Sequence, residues 1–387
     1  MSAQVSARTR ASASARARAS ASACVSARSG TLLGPLSALS AEPGVTDIAV
    51  TSDGKVWADS GHGMVERSLD IGQLAPETVR DFAIQLCASL GKRLDDACPL
   101  ADASSPEGVR VHAVLAPLVR QGASLSIRLP HRSLATLDQL CTRAMFPRAW
   151  KVILEAAIRE RLSILICGGT GAGKTTMVKA LLSAVPDDER VLLIEETREL
   201  DQSRHANGES LVVREANVEG VGAVTLSDLV RATVRMRPDR IVLGECRGEE
   251  VADLLRALNS GHKGSVATIH ADSIERVPSR LCALGLLAHM DRAAVSMLAA
   301  GAFDLVLHIT HDASGRRLAH MGTLQLSDEG MLTGQTLCSW DGQRPPRYEP
   351  AYDTWAKHAL GLDALVEDDL AEATDSTVEF ARIRRKN

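Results

Sequence analysis

The residue types with the clearest chemical role lie in a glycine-rich loop between an apolar segment and a helical pattern. Gly168, Gly173, Lys174 and Thr175 satisfy the spacing G-x-x-x-x-G-K-S/T. Glycines in such a loop let the backbone turn its N–H groups toward phosphate oxygens, and the helix that follows adds the positive end of its dipole. We therefore predict a nucleoside triphosphate site. Its phosphate-binding residues are predicted to be Gly168, Gly169, Thr170, Gly171, Ala172, Gly173, Lys174, Thr175 and Thr176.

Two side chains of this loop have distinct expected roles. Lys174 is expected to reach the β- and γ-phosphates, and the hydroxyl of Thr175 is expected to hold magnesium. The predicted cofactors are therefore ATP and Mg²⁺.

Hydrolysis also needs an acid that orients the attacking water and a second carboxylate near magnesium. Glu245 ends the strand-like segment 241–244, where it would polarise the water or reach magnesium. The alternative is that Glu245 caps the helix that begins near Gly248. Glu195 and Glu196 end the preceding strand-like segment, and either could bind magnesium or orient the attacking water.

Two histidines flank a third strand-like segment. His262 precedes residues 265–269 and His270 follows them. Taken singly, each fits a structural role. Because they flank a strand that follows the two strands ending in acids, we expect both histidines to sense the γ-phosphate.

Composition narrows the possible partners. The chain of 387 residues is 45% hydrophobic, which is enough for two or three domains with proper cores. Aromatic residues make up 3% and the net charge is −4, so neither a stacking platform nor a broad basic surface for nucleic acid is expected.

Eight scattered cysteines without a C-x-x-C pair favour a reducing cytoplasm. No apolar run is long enough to span a membrane, so any membrane association is predicted to be peripheral.

The pattern of segments predicts an α/β chain with several parts. After residue 151, strands alternate with helices, which indicates a parallel sheet with the phosphate loop at the carboxyl end of a strand. An Ala/Ser/Arg-rich leader could be a transit peptide, an over-long start of translation, a plain tail or a weak contact with anionic lipid. The predicted parts are a disordered leader at 1–30, a smaller α+β domain at 31–130, a linker with helix at 131–150, a nucleotide-binding domain at 151–340 and a poorly ordered polar tail at 341–387.

Four motifs together resemble the secretion-superfamily ATPases of type II and type IV secretion. They are the phosphate loop and the segments 194–200, 236–250 and 261–271. The likeness is strongest to the tight-adherence pilus branch, known as TadA or CpaF, in its actinobacterial form. It extends from about Val45 to Ile309.

The resemblance implies a RecA-like P-loop NTPase domain that follows a smaller N-terminal α+β domain. It further implies a cytoplasmic homohexamer that hydrolyses ATP to power pilus assembly or secretion, beside a polytopic inner-membrane platform protein. By the same resemblance, Glu245 is the catalytic acid, Glu195 and Glu196 form the Asp box, and His262 and His270 bound the His box. Thr175, Glu196 and Glu245 are the expected magnesium contacts, and Arg110 and Arg128 become phosphate contacts from the N-terminal domain.

The chain departs from this family's pattern at two points. It has Glu195-Glu196 where relatives read Glu-Asp, which lengthens the second acid by a methylene, and it lacks a cysteine tetrad for zinc. Two other functions remain open: an ATPase of a conjugal DNA-transfer apparatus, and a nucleotide-gated scaffold with little turnover.

Overall fold

The computed structural model describes residues 32–61, 63–105, 107–130, 135–200, 205–214, 216, 221–312 and 315–361. The chain divides into two compact units: Met1–Arg132 with Thr197–Glu199, and Ser133–Glu196 with Leu200–Asn387. The predicted leader at 1–30, part of the predicted linker, and residues 362–387 of the predicted tail lie outside the described residues.

The first unit is an antiparallel sheet covered by a helix. Its elements are α1 Ser37–Ala41, β1 Asp47–Val50, β2 Val56–Asp59, β3 Met64–Arg67, α2 Pro76–Ser89, β4 Leu100–Ser104, β5 Arg110–Leu115 and β6 Ala123–Arg128. The strands follow the order β3-β2-β1-β6-β5-β4 in the sheet. Helix α2 packs against β5 and β6, and its apolar residues Val79, Ala83 and Leu86 are buried.

The second unit is built on one large mixed sheet. The strands are β7 Ile164–Gly168, β8 Val191–Glu195, β9 Gly208–Val212, β10 Arg240–Cys246, β11 Val266–Ile269, β12 Leu305–Asp312, β13 Gly315–Leu326, β14 Leu332–Ser339 and β15 Arg347–Tyr348. Six of them run parallel, in the order β12-β7-β11-β10-β8-β9, and β13, β14 and β15 continue the sheet from β12 with antiparallel pairing. The helices are α3 Leu137–Thr142, α4 Arg148–Arg159, α5 Lys174–Leu182, α6 Leu226–Thr233, α7 Glu250–Asn259, α8 Val277–Leu287, α9 Arg292–Ala302 and α10 Ala351–Leu360.

Alternation along the parallel strands places a hydrophobic core on each face of this sheet. Ile164 and Ile166 of β7 join the core that contains Trp150 of α4. Leu165 and Cys167 point to the opposite core, which helices α6 to α9 cover. Both faces are therefore buried, as a parallel sheet with crossover helices requires. The carboxyl ends of β7, β8, β10 and β11 meet at one edge.

The prediction of a poorly ordered tail is wrong for residues 341–361. β15 pairs with β14, and Tyr352 and Leu360 of α10 are 2% and 3% exposed against the core beside α4. Asp353, Thr354, Lys357 and His358 occupy the exposed face of this amphipathic helix. β12 and β13 form a hairpin, and β14 and β15 extend the sheet beyond it.

Candidate active site

The phosphate loop connects β7 to α5 through a turn that only glycines adopt easily. Gly171 and Gly173 have φ angles of 72° and 105°, in the left-handed region. Gly168 is needed for a second reason, because a Cβ there would stand 2.4 Å from the carbonyl oxygen of Ile309. Side chains at these positions would strain the backbone or displace the neighbouring strand. The local geometry is that of a strand, a glycine turn and a helix N-terminus, which is suited to phosphate oxygens.

Lys174 is buried at the first position of α5. Its Nζ donates to the carbonyl oxygens of Gly168 and Gly169, both at 2.9 Å. Burial lowers the pKa of this amine, and the charge of Glu245 opposes that shift. The ammonium group therefore already lies within the loop whose phosphate ligand it is expected to contact.

A break in strand register directs Glu245. β10 pairs regularly with β11 up to Leu243, and the pairing resumes at Cys246 with a shifted register. Bulges of this kind re-aim a side chain at the end of a strand. Thr268 secures the break, because its Oγ1 donates to the carbonyl oxygen of Gly244 at 2.6 Å.

The structure decides against the helix-capping alternative for Glu245. The carboxylate that accepts from the backbone at this helix start is that of Glu250, which receives the N–H groups of Arg247 and Gly248 at 2.6 and 2.8 Å. Glu245 instead contacts His270 and Arg247. Its carboxylate thus belongs to a cluster of polar side chains beside the phosphate loop.

An arginine joins the acids of two neighbouring strands. Arg247 contacts Glu245 Oε2 through Nε at 2.7 Å and Glu196 Oε2 through Nη1 at 2.7 Å. Sequence reasoning assigned no role to Arg247. The usable signal was position: Arg247 comes two residues after Glu245 and directly follows the end of β10.

His270 connects Glu245 to the phosphate loop. Its Nε2 lies 2.8 Å from Glu245 Oε1 and 3.3 Å from Lys174 Nζ. Burial, and then the positive charge of Lys174, lower the pKa of His270, so the ring is neutral at pH 7. A neutral ring nitrogen either donates or accepts. Here the neutral Nε2 accepts from Lys174 Nζ, and Glu245 Oε1 lies against the ring but has no hydrogen-bond partner among the described residues.

The two adjacent acids predicted as the Asp box face different partners. Glu195 is 4% exposed, and its Oε1 accepts from the backbone N–H of Leu200 at 3.0 Å. Glu196 is exposed and pairs with Arg247. The structure therefore brings Glu196 into the cluster, while Glu195 secures the turn after β8.

His262 is not brought into the cluster. It precedes the amino end of β11, and its Nδ1 contacts the carbonyl oxygen of Ala257 at 3.0 Å. β11 runs parallel to β7, so the phosphate loop and His270 lie at the other edge of the sheet. The structure therefore brings His270, and not His262, beside the phosphate loop, and the expectation that both histidines sense the γ-phosphate stays a prediction.

Arg110 and Arg128 lie in the first unit, directly opposite each other on β5 and β6. Like charges in this position repel, and each arginine has an acidic partner. Arg110 pairs with Glu199 at 2.7 Å, and Arg128 pairs with Asp47 at 3.0 Å. The structure thus places the two arginines side by side on one sheet.

The available oxygen donors fit a magnesium ion that is also held by phosphates. Thr175, Glu196 and Glu245 offer hydroxyl and carboxylate oxygens, the ligand type that Mg²⁺ prefers. Within the described residues, no group of three or more His, Cys, Asp or Glu side chains is arranged to hold a metal. Magnesium at nucleotide sites needs only one or two protein ligands, because water and phosphate supply the others.

Comparisons with known proteins show the family to which the chain belongs. Residues 34–326 match the family model described as type II/IV secretion system protein. The chain belongs to this family. A Mycobacterium tuberculosis protein whose name refers to conjugal transfer is 42% identical over 80% of this chain and 89% of that protein. The protein VirB11 of Agrobacterium fabrum is 33% identical over 62% of this chain and 76% of its own length.

Solved structures of secretion-family ATPases share the fold. The pilus retraction motor PilT with bound ADP matches with a TM-score of 0.54 and 20% identity, over 74% of this chain and 81% of that one. The ATPase DotB of Legionella pneumophila matches with a TM-score of 0.53 and 18% identity, over 74% and 78%. The predicted fold class is confirmed: a RecA-like P-loop NTPase domain with a smaller N-terminal α+β domain. This family member is an ATP hydrolase. Among the helices that the structure describes, none combines the length and hydropathy needed to cross a membrane.

Proposed function

We propose that this ATPase powers pilus assembly or protein secretion from the inner face of a membrane, as a homohexamer beside a polytopic membrane platform. The observation that carries the proposal is the linked cluster of Lys174, His270, Glu245, Arg247 and Glu196 beside the phosphate loop. Membership of the tight-adherence TadA/CpaF branch is the finer proposal, and the four sequence motifs support it.

The proposed mechanism assigns each part of the cluster a task. The loop from Gly168 to Thr176 holds the triphosphate, and Lys174 exchanges carbonyl contacts for phosphate oxygens. Thr175 and Glu196 hold magnesium, which supplies charge neutralisation at the phosphates when it is bound. Glu245 orients the attacking water, and Arg247 donates to Oε2 of that carboxylate and holds it in place, while His270 lies 2.8 Å from its Oε1.

The N-terminal unit is proposed to contribute positive charge. Arg110 and Arg128 would exchange their acidic partners for phosphate oxygens as this unit closes on nucleotide. A difference in closure between ATP and ADP states would convert hydrolysis into movement. Six subunits would transmit that movement to membrane partners.

A conjugal-transfer ATPase is the second candidate, favoured by the name of the 42% identical relative. The net charge of −4 and the 3% aromatic content argue against direct contact with DNA. A nucleotide-gated scaffold is a further alternative, motivated by the longer acid at Glu196.

Steady-state ATP hydrolysis by the wild type and Glu245→Gln tests the proposal. We expect the variant to bind MgATP normally and to lose at least about 100-fold in kcat, since a positioned base contributes 10²–10⁴-fold. Glu249→Gln is the matched control, because Glu249 is an exposed glutamate in the same segment. Light scattering would report the mass with and without nucleotide.

Each alternative predicts a different result in the same experiment. Normal turnover by Glu245→Gln would contradict the assigned role of Glu245. Nucleotide binding without turnover by the wild type would favour the scaffold, and strong stimulation by added DNA would favour the transfer apparatus. Glu245-dependent turnover in a ring of about six subunits, unaffected by DNA, would support the secretion motor.

A further inference from the structure

Arg316 of β13 contacts the phosphate loop at its exposed turn. Its Nε donates to the carbonyl oxygen of Gly171 at 2.9 Å. Its Cδ lies 3.4 Å from the position that a Cβ on Gly173 would occupy. The side chain therefore lies along the two left-handed glycines of the loop, which have φ angles of 72° and 105°.

Strand pairing explains why Arg316 lies at this place. β12 is parallel to β7, with Ile309 opposite Gly168, and it continues to Asp312. β13 returns antiparallel, with Arg316 opposite His311. The hairpin therefore projects past the carboxyl end of β7, alongside the segment where the phosphate loop begins.

The backbone that carries Arg316 is anchored. Leu318, two residues later, is fully buried, and its N–H donates to the carbonyl oxygen of Met145 at 2.8 Å. Met145 is also buried, and its Cε lies 3.7 Å from the Cβ position of Gly173. An exposed arginine is thus held at a defined place beside the loop by two buried residues.

We propose that Arg316 is a positioning residue for the phosphate loop. Its Nε–H holds the Gly171 carbonyl and so keeps the glycine turn ordered before nucleotide arrives. Glycines lose the most conformational freedom on ordering, and an ordered site binds more tightly because that loss is not incurred on binding. The inference rests on the proposed function, since it assumes that this loop binds the phosphates. Because the contact is to the loop itself, we expect it to increase the affinity for ADP and for ATP alike and to change kcat less than affinity.

Two substitutions separate the hydrogen bond from the charge. Arg316→Gln keeps an N–H donor at the position of Nε and removes the guanidinium charge, whereas Arg316→Met removes both. We expect Arg316→Met to raise the Kd for MgADP about three- to tenfold by titration calorimetry, since a typical intramolecular hydrogen bond contributes on that order. Arg316→Gln should stay within about twofold of the wild type, and kcat should change less than about twofold in both variants.

Hydrogen exchange of the loop amides at 169–173 supplies a readout that does not depend on turnover. Exchange should be faster in Arg316→Met than in Arg316→Gln or the wild type. Arg344→Met is the control, because Arg344 is an exposed arginine of the same unit with a side chain 77% exposed. We expect this control to match the wild type in both measurements.

Two results would overturn the inference while leaving the proposed function intact. One is equal loss of affinity in Arg316→Gln and Arg316→Met, which would assign the effect to charge. The other is unchanged affinity and loop exchange in Arg316→Met. A wild type that neither binds MgADP nor hydrolyses ATP would overturn the proposed function, and the inference with it.

Discussion

Arg247 links the acids of two strands, so its removal tests how far catalysis depends on their orientation. Arg247→Ala takes away the contacts to Glu245 and Glu196, both at 2.7 Å. We expect kcat to fall about tenfold while the Kd for MgADP changes less than about twofold, because positioning contacts of this kind act on the reacting geometry. Lysine cannot bridge both acids, so Arg247→Lys should restore little. Arg256→Ala on the exposed face of α7 is the control; equal kcat in the two alanine variants would contradict the prediction.

Lys174 is the residue whose removal should act on binding instead. Lys174→Ala should raise the Kd for MgADP and MgATP by about 10- to 100-fold, since a charged hydrogen bond contributes ~1.5–3 kcal/mol. The fold should survive, because the buried amine of Lys174 contacts loop carbonyls and does not fill an apolar core. Equilibrium binding of a fluorescent ADP analogue would measure this effect. Lys263→Ala, at an exposed position before β11, is the control.

At the scale of strands, β12 and β13 carry a stacked pair of histidines, of which His308 is buried and His320 is half-buried. The Nδ1 atoms of His308 and His320 are 3.0 Å apart, and the rings stack with centroids 5.3 Å apart. Burial, and then the neighbouring His320, lower the pKa of His308 to about 4 from 6.5, and burial also lowers the pKa of His320. Below pH 6.5 the unfolded chain takes up protons that the folded pair does not, so stability falls as the pH decreases toward 4.

This pair should make unfolding depend on pH. For His308 alone the loss of stability between pH 6.5 and 4 is about 3 kcal/mol, at ~1.4 kcal/mol per pKa unit. Urea unfolding at pH 7.5, 6, 5 and 4 would measure it. His308→Asn, which does not titrate, should show a shallower fall in midpoint than the wild type or the exposed control His358→Asn. Parallel curves for all three proteins would show that the pair does not contribute.

Helix α10 should matter to stability because one face of it is buried. Tyr352 is 2% exposed and packs with the rings of Tyr348 and Trp355. Tyr352→Ala should lower the free energy of unfolding by about 3 kcal/mol, the scale of aromatic truncations in a core. Thr354→Ala, on the exposed face of the same helix, should change it by less than about 0.5 kcal/mol. Chemical denaturation would compare them, and equal midpoints would contradict the core role of α10.

At the scale of the whole molecule, the proposal requires the first unit to take part in hydrolysis. Arg128→Ala should slow ATP turnover about tenfold or more while the ring mass by light scattering stays the same. Arg120→Ala is the matched control, since Arg120 is an exposed arginine of the same unit. A normal rate of ATP hydrolysis in Arg128→Ala would contradict the proposed phosphate contact and leave Arg128 only as the ion-pair partner of Asp47.

The sequence by itself determined the phosphate loop, the strands that end in Glu245 and Glu195, and the alternation that builds a parallel sheet. These features depend on contiguous residues, because a glycine turn between strand and helix and the burial of both sheet faces leave local and periodic patterns. Strand β5, Arg110–Leu115, likewise follows a local pattern, because its buried and more exposed residues alternate.

Only the tertiary structure decided which side chains meet. The bulge after Leu243 aims Glu245 at His270, and parallel pairing leaves His262 at the opposite edge of the sheet. Arg316 reaches Gly171 across 145 positions of the chain because β12 and β13 return beside β7. Such contacts depend on register and strand order, which are set by the packing of the whole sheet and leave no local pattern in the sequence.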